Sequence, residues 1–201
     1  MLTVLRAFEF LGLSIWLGSD IFLSFVVAPG AFSVLASRDQ AGAIVGYSLG
    51  RMHWMGIVCG AVILLVRLLR IRSLTALVAP AALCVTLMIV LTVISQVAVS
   101  PRMAVLRVQM GSIEATAAGN PFLAEFGRLH TISVGLESGV LLTGFAALFL
   151  TVRDEMPRRW CGRRRSAHAM AGRATSQAGL NQARMPNLPY RRTPFPLFFR
   201  K

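Results

Sequence analysis

The sequence has little charge. Asp, Glu, Lys and Arg together make up 14% of its 201 residues, whereas an average soluble domain has about 25%. Hydrophobic residues make up 55%, and the mean hydropathy is +0.65. This composition excludes an ordinary soluble domain. It predicts an integral membrane protein whose length is enough for one small helical bundle and a tail.

Motifs that carry familiar enzyme chemistry are absent. The sequence contains no nucleophile elbow, phosphate-binding loop or dinucleotide fingerprint. Cysteine is scarce, and Cys59, Cys84 and Cys161 form no CxxC pair, so their spacing supports neither a disulfide framework nor a zinc site. No HExxH or similar pair of metal ligands occurs either. Enzyme activity therefore has no positive support in the residues.

Four apolar stretches are long enough to cross a bilayer, which takes about 20 residues. They lie at about 5–28, 52–68, 74–99 and 125–152. The predicted fold is an all-α membrane protein, a bundle of four transmembrane helices within a domain of residues 1–156. Between spans 3 and 4, apolar side chains recur at helical spacing. This connection is therefore predicted to be an amphipathic external helix, or span 3 continuing beyond the membrane.

The end of the chain is strongly basic. From Pro157 onward it has eleven basic residues and no acid. Because this block directly follows a span, orientation in the membrane explains it better than a specific nucleic-acid partner. The arginine distribution predicts that both termini are cytoplasmic, in the inner membrane of a bacterium. Residues 157–201 have no periodicity and predict a disordered tail that contacts anionic lipid.

Polar side chains within apolar spans are the candidate functional residues, since each is costly in lipid. Helical phase and depth suggest that five of them converge in a cavity in the outer half of the bundle: Asp20, His53, Gln96, His130 and Glu137. Such a cavity is suited to handling protons or a cation. The first alternative is a haem or divalent-metal redox site on His53 and His130, which the residues do not favour. A purely structural reading, helix-to-helix hydrogen bonding, stays open.

Glycines recur along the first two spans and the segment before span 2. In a membrane helix, such glycines allow a neighbouring backbone to come close. They predict a packing groove, and they raise the third hypothesis of a structural subunit that forms a homo-oligomer or joins a membrane complex. The glycines concerned are Gly12, Gly42, Gly46, Gly50, Gly56 and Gly60.

Several short motifs together resemble a known family. They are Trp16-x-Gly18, Phe25-Val-Val-Ala-Pro29 with Phe32, the glycine-laced helix from Gly42, Pro101, and Phe126-x-x-x-His130-x-x-Ser133. In this order they resemble the transmembrane protein 205-like family, domain of unknown function 4149. The resemblance implies four membrane helices without an established activity. More distantly, it extends to copper-resistance D proteins and a haem-carrying family with functional histidine in the early spans. Span 1 has no histidine here.

Overall fold

The computed structural model describes residues 2–183, with side chains described for residues 3–154. The chain divides into two units, residues 1–154 and residues 155–201. The described part contains helices and turns but no strand. The helices are α1 (Leu2–Phe22), α2 (Ala28–Val34), α3 (Arg38–Ile71), α4 (Pro80–Ile94), α5 (Ser100–Met110) and α6 (Pro121–Ala183).

Short π-helical turns join some of these helices into longer ones. Leu23–Val27 joins α1 to α2, and Ser95–Val99 joins α4 to α5. The described residues thus contain four helices that are long and apolar enough to cross a membrane, so the protein is an integral membrane protein. Their bounds are Thr3–Val34 (span 1), Arg38–Ile71 (span 2), Pro80–Met110 (span 3) and Pro121–Asp154 (span 4).

Local sequence explains where the spans begin. Ser37 is the N-cap of α3, and its hydroxyl accepts a hydrogen bond from the backbone N–H of Asp39. Pro80 begins α4, where a missing N–H costs nothing. A separate 3₁₀ turn, Leu74–Leu77, precedes it. The third span therefore begins at Pro80, six residues later than the sequence predicts, because proline favours the first helical turn over the interior.

The core of unit 1 is a band of tightly packed apolar side chains. Trp16, at 1% exposure, lies across the α3 backbone at Gly56 and Gly60. Large apolar side chains also cover the outside, including Phe25 at 70% and Leu142 at 73% exposure. Apolar side chains both inside and outside are the pattern of a helix bundle that lipid surrounds. The rest of the core cluster is Leu13, Leu17, Ile63, Val85, Met88, Val140 and Ala147.

Two connecting regions were uncertain from sequence. The connection after span 3 begins as a continuation of that span, since α5 follows α4 through a π-helical turn and ends at Met110. In the basic tail, residues 157–183 are helical where the sequence predicts disorder. This segment is rich in Ala and Arg, which are good helix formers. Residues 184–201 lie outside the described residues, so disorder there stays a prediction.

Candidate functional site

His53 of α3 is the centre of a buried group of polar side chains. Its Nδ1 lies 2.8 Å from Oε1 of Gln96, and its Nε2 lies 2.5 Å from Oε1 of Glu137. The histidine is 1% exposed, and the Glu137 side chain is 13% exposed. One imidazole thus links spans 2, 3 and 4 through both of its ring nitrogens.

Asp20 adds span 1 to this group, so that all four spans contribute a residue. It is completely buried, and its carboxyl group is close enough to Glu137 for a hydrogen bond between two carboxyl groups. His53 also lies within electrostatic range of it. With both carboxyl groups ionised, neither oxygen of Asp20 has a hydrogen-bond partner among the described residues. We call Asp20, His53, Gln96 and Glu137 the polar cluster.

The π-helical turns lie beside the polar cluster. Gln96 is the second residue of the Ser95–Val99 turn, and Asp20 precedes the Leu23–Val27 turn by less than one helical turn. A π turn inserts an extra residue into a helix and is frequently found at functional sites. Ser95, also completely buried, has a hydroxyl without a described partner. The site therefore lies where two of the four spans depart from regular α-helix.

A second polar group lies towards the other end of the spans. Arg67 donates from Nε to Oε1 of Glu9 and from Nη2 to Oγ1 of Thr151, the latter at 3.2 Å. Nη1 of Arg70 lies 3.4 Å from Oε2 of Glu9. Glu9 and Arg67 are each 2% exposed, and Thr151 is 5% exposed. We call these four residues the Glu9 cluster. It ties spans 1, 2 and 4 together.

The two clusters are separated by the apolar core. The cluster positions on span 2, His53 and Arg67, are fourteen residues apart, and so are those on span 4, Glu137 and Thr151. At 1.5 Å per residue the separation is roughly 21 Å along the helices. Trp16 and the rest of the core fill the space between. The polar cluster and the Glu9 cluster are therefore distinct sites.

A third set of contacts fastens the connection after span 3 to the start of α3. Asp39 accepts hydrogen bonds from the backbone N–H of Ile113 at 2.9 Å and from the hydroxyl of Ser112 at 2.5 Å. Arg107 donates from Nη1 to the carbonyl oxygen of Gly42 at 2.9 Å. These contacts lie at the end of the bundle nearer the polar cluster. We call it the Asp39 end.

Comparison with known families finds a match in the first part of the chain. Residues 11–112 match the family model described as "Domain of unknown function (DUF4149)". The chain belongs to this family. No curated protein and no solved structure matches it. The DUF4149 match includes three members of the polar cluster, Asp20, His53 and Gln96. It bears out the domain-of-unknown-function part of the resemblance, while the likeness to the transmembrane protein 205-like and copper-resistance D groups stays a hypothesis.

Four of the five candidate residues meet in the polar cluster, and His130 does not. Its side chain is exposed, and no hydrogen bond or ion pair joins it to the cluster in the described part of the chain. The seven-residue spacing from Glu137 puts both on one face of α6, but Ser133 alone is buried among residues 121–136 of this helix. His53 and His130 are therefore not paired. The described residues also hold no group of three or more His, Cys, Asp or Glu side chains arranged for a metal ion.

The six glycines that the sequence predicts to form a packing groove have three different surroundings. A Cβ at Gly56 would come within 2.5 Å of Trp16 Nε1, and one at Gly60 within 2.7 Å of Ile89 Cγ1. A Cβ at Gly42 would instead meet the guanidinium group of Arg107, at 3.1 Å. Gly46 faces the same group and Gly12 faces Ile63, while nothing lies within 4 Å of Gly50. These glycines mostly accommodate large side chains, and at Gly12 the backbone carbonyl oxygen of Cys59 in α3 also lies within 3.6 Å of the Cβ position. The packing groove stays a prediction.

Sequence reasoning missed the Glu9 cluster. The sequence alone favours the interpretation that Arg67 is one of three arginines that end span 2 and mark the membrane surface. The available signal was Glu9, because a buried acid in one span requires a cation from another at the same depth. Arg67 is the residue that meets this requirement, since spans 1 and 2 run in opposite directions and Glu9 of one faces Arg67 of the other.

Proposed function

We propose that this integral membrane protein binds and releases protons at the polar cluster. The observation that supports the proposal is the buried contact between Asp20 and Glu137, with His53 hydrogen-bonded to the latter. Two carboxyl groups and an imidazole are enclosed without an arginine or lysine among their described partners. Ionisable groups buried in a membrane protein commonly mark ion sites or proton relays.

The hydrogen bonds of His53 define where one proton lies. Oε1 of Gln96 can only accept, so Nδ1 of His53 carries a proton and donates it. Nε2 then either donates to an ionised Glu137 or accepts from a protonated one. Both arrangements keep the same heavy-atom positions. A proton can therefore pass between this imidazole and carboxyl group without movement of the helices.

Counting charges gives the resting state of the polar cluster. Asp20, Glu137 and Nε2 of His53 offer three protonation sites, and two protons on them make the cluster neutral. One proton fewer leaves a net negative charge in a medium of low dielectric constant, which is costly without a compensating cation. The proposed cycle is therefore loss of one proton from the neutral cluster, followed by proton return or by entry of a monovalent cation.

The engagement of His53 weighs against the metal and haem alternatives. Both of its ring nitrogens bind neighbouring side chains, whereas a ligating imidazole needs a nitrogen lone pair directed at the metal. His130, the other proposed ligand, is exposed. A partner-subunit role has no specific contact in its favour. The proton reading accounts for all four members of the cluster, and we adopt it.

Proton binding can be measured on the purified full-length protein. Detergent-solubilised protein is jumped from neutral to alkaline pH with a pH-indicating dye, and the protons released per chain are counted. We expect the double variant Asp20→Asn with Glu137→Gln to release about one proton fewer than wild type, because its remaining site, Nε2 of His53, needs no proton for the cluster to be neutral. The matched control is Glu125→Gln, an exposed acid on the same helix. Equal release from wild type and the double variant, with both folded, would refute the proposal.

Orientation and partners belong to the same proposal. The two ends of the spans carry five arginines each, so the excess of basic residues comes from the tail that follows span 4. This excess supports cytoplasmic termini in a bacterial inner membrane, with the Asp39 end outside. The polar cluster would then exchange protons with the external side. We further propose that the basic tail contacts anionic lipid, that no specific nucleic acid is bound, and that a homo-oligomer forms through the glycine faces.

A further inference from the structure

We infer that a cleft at the Glu9 end binds one anionic phospholipid, with its phosphate on Arg72. The cleft has a volume of about 430 Å³ and lies between the start of span 1 and the end of span 2. Its lining is apolar apart from two residues. The lining residues are Leu5, Leu68, Leu69, Arg72, Ser73 and Leu74.

The layout of the cleft follows the layout of a phospholipid. Its leucines belong to helices that cross the membrane, or to the turn that follows α3, so they offer an apolar wall to an acyl chain. Arg72 directly follows the last residue of α3, at the level where a span meets the headgroup region. Basic pockets between membrane helices are known sites for anionic headgroups. The hydroxyl of Ser73 is engaged with Thr75 at 2.9 Å, so Arg72 is the anion-binding group.

The charge of Arg72 is available for such a ligand. Glu9, a buried acid of span 1, is bound to Arg67 and Arg70. No ion pair involves Arg72 in the part of the chain whose side chains are described. A zwitterionic lipid would bring its own cation next to the arginine, whereas phosphatidylglycerol brings only the phosphate. The charge complementarity therefore favours an anionic lipid over a zwitterionic one.

The backbone of Arg72 is a second, independent sign of selection for this side chain. Among the described residues it is the one non-glycine residue with positive φ, at φ 52° and ψ 30°. Glycine or asparagine is usual where a helix ends in this left-handed conformation. A residue held in a sparsely populated conformation is a reason to look for a function of its side chain. Since Arg72 lines the cleft, an arginine at this position supplies the cleft with a cation.

The left-handed backbone at Arg72 allows a test in which the side chain is removed without strain in the backbone. Arg72→Gly removes the cation and suits the left-handed conformation, so the variant is expected to fold. Full-length protein is reconstituted with equal amounts of phosphatidylglycerol and phosphatidylcholine, washed with salt, and examined by native mass spectrometry for retained lipid. Wild type should retain phosphatidylglycerol in preference by about fivefold, the effect of one basic residue near a membrane surface. Arg72→Gly should lose this preference.

Control variants distinguish lipid binding at the cleft from non-specific attraction between basic residues and anionic lipid. Arg102→Ala removes one exposed arginine elsewhere and should keep the wild-type preference. The eleven basic residues from Pro157 onward are present in every variant, so their contribution cancels. Added inorganic phosphate should not displace the lipid, because it has no acyl chain for the leucine wall. Unchanged preference in Arg72→Gly and in Arg72→Asn, a second residue that tolerates this backbone, would overturn the inference.

Discussion

Removing Arg67 should destabilise the bundle far more than removing Arg67 and Glu9 together. The two side chains form a buried pair, each 2% exposed, that joins spans 1 and 2. In Arg67→Met, the carboxyl group of Glu9 loses its buried partner and keeps Arg70 at 3.4 Å. In the double variant with Glu9→Gln, neither position of the buried pair carries a charge, and Arg70, at 12% exposure, loses only its 3.4 Å contact with Glu9.

The magnitude follows from the cost of a stranded charge. Breaking a buried ion pair by removing one partner costs about 3–5 kcal/mol, whereas replacing both partners is often close to neutral. Arg70 is 12% exposed and retains part of the compensation, so we expect about 2–3 kcal/mol for Arg67→Met. The double variant should lose about 1 kcal/mol, mainly from the hydrogen bond to Thr151.

The assay is reversible unfolding of the purified protein in mixed micelles, followed by the loss of helix signal as the denaturing detergent fraction rises. A double-mutant cycle of wild type, Arg67→Met, Glu9→Gln and the double variant gives the coupling energy. The control is Arg51→Met, an exposed arginine on the same helix, which should change the free energy of unfolding by less than about 0.5 kcal/mol. A double variant as unstable as Arg67→Met would show that the uncompensated carboxylate of Glu9 is not the cause of the lost stability.

Two further predictions concern α3 and the side chains that contact it. Gly60→Ala should lower the free energy of unfolding by about 1–3 kcal/mol, because its Cβ would come within 2.7 Å of Ile89 and of Trp16. Gly50→Ala, with nothing within 4 Å, should raise it by up to about 1 kcal/mol through helix propensity; unfolding titrations of both check this, and equal effects would contradict it. Arg107→Ala should cost about 1–3 kcal/mol by removing the charged hydrogen bond to Gly42. Hydrogen exchange at residues 112–113 should then increase, and unchanged exchange would show that Asp39 alone holds that segment.

The polar cluster was accessible to sequence reasoning for a definite reason. A polar residue within an apolar span must face other protein, and four spans of similar length leave few choices of depth. Asp20, His53, Gln96 and Glu137 satisfied both conditions and the structure brings them together. His130 satisfied only the first, because helical phase does not reveal that neighbouring spans leave this part of α6 exposed.

Pairwise contacts between particular helices were not accessible in the same way. Arg67 has the sequence context of a membrane-surface arginine, and only the position of span 1 turns it towards Glu9. The glycines at 42 and 46 have the spacing of a helix-packing motif, yet a guanidinium group occupies the space beside them. Spacing along one helix predicts a groove. It does not predict which neighbour fills the groove.

The central claim is that the buried contact of Asp20 and Glu137 holds a proton. Infrared difference spectroscopy of the full-length protein, between neutral and alkaline pH, measures it directly through the C=O stretch of a protonated carboxyl group. Our account predicts a carboxylic-acid band at neutral pH that disappears in Asp20→Asn with Glu137→Gln and persists in Glu125→Gln. The absence of any such band in wild type at neutral pH would contradict the account.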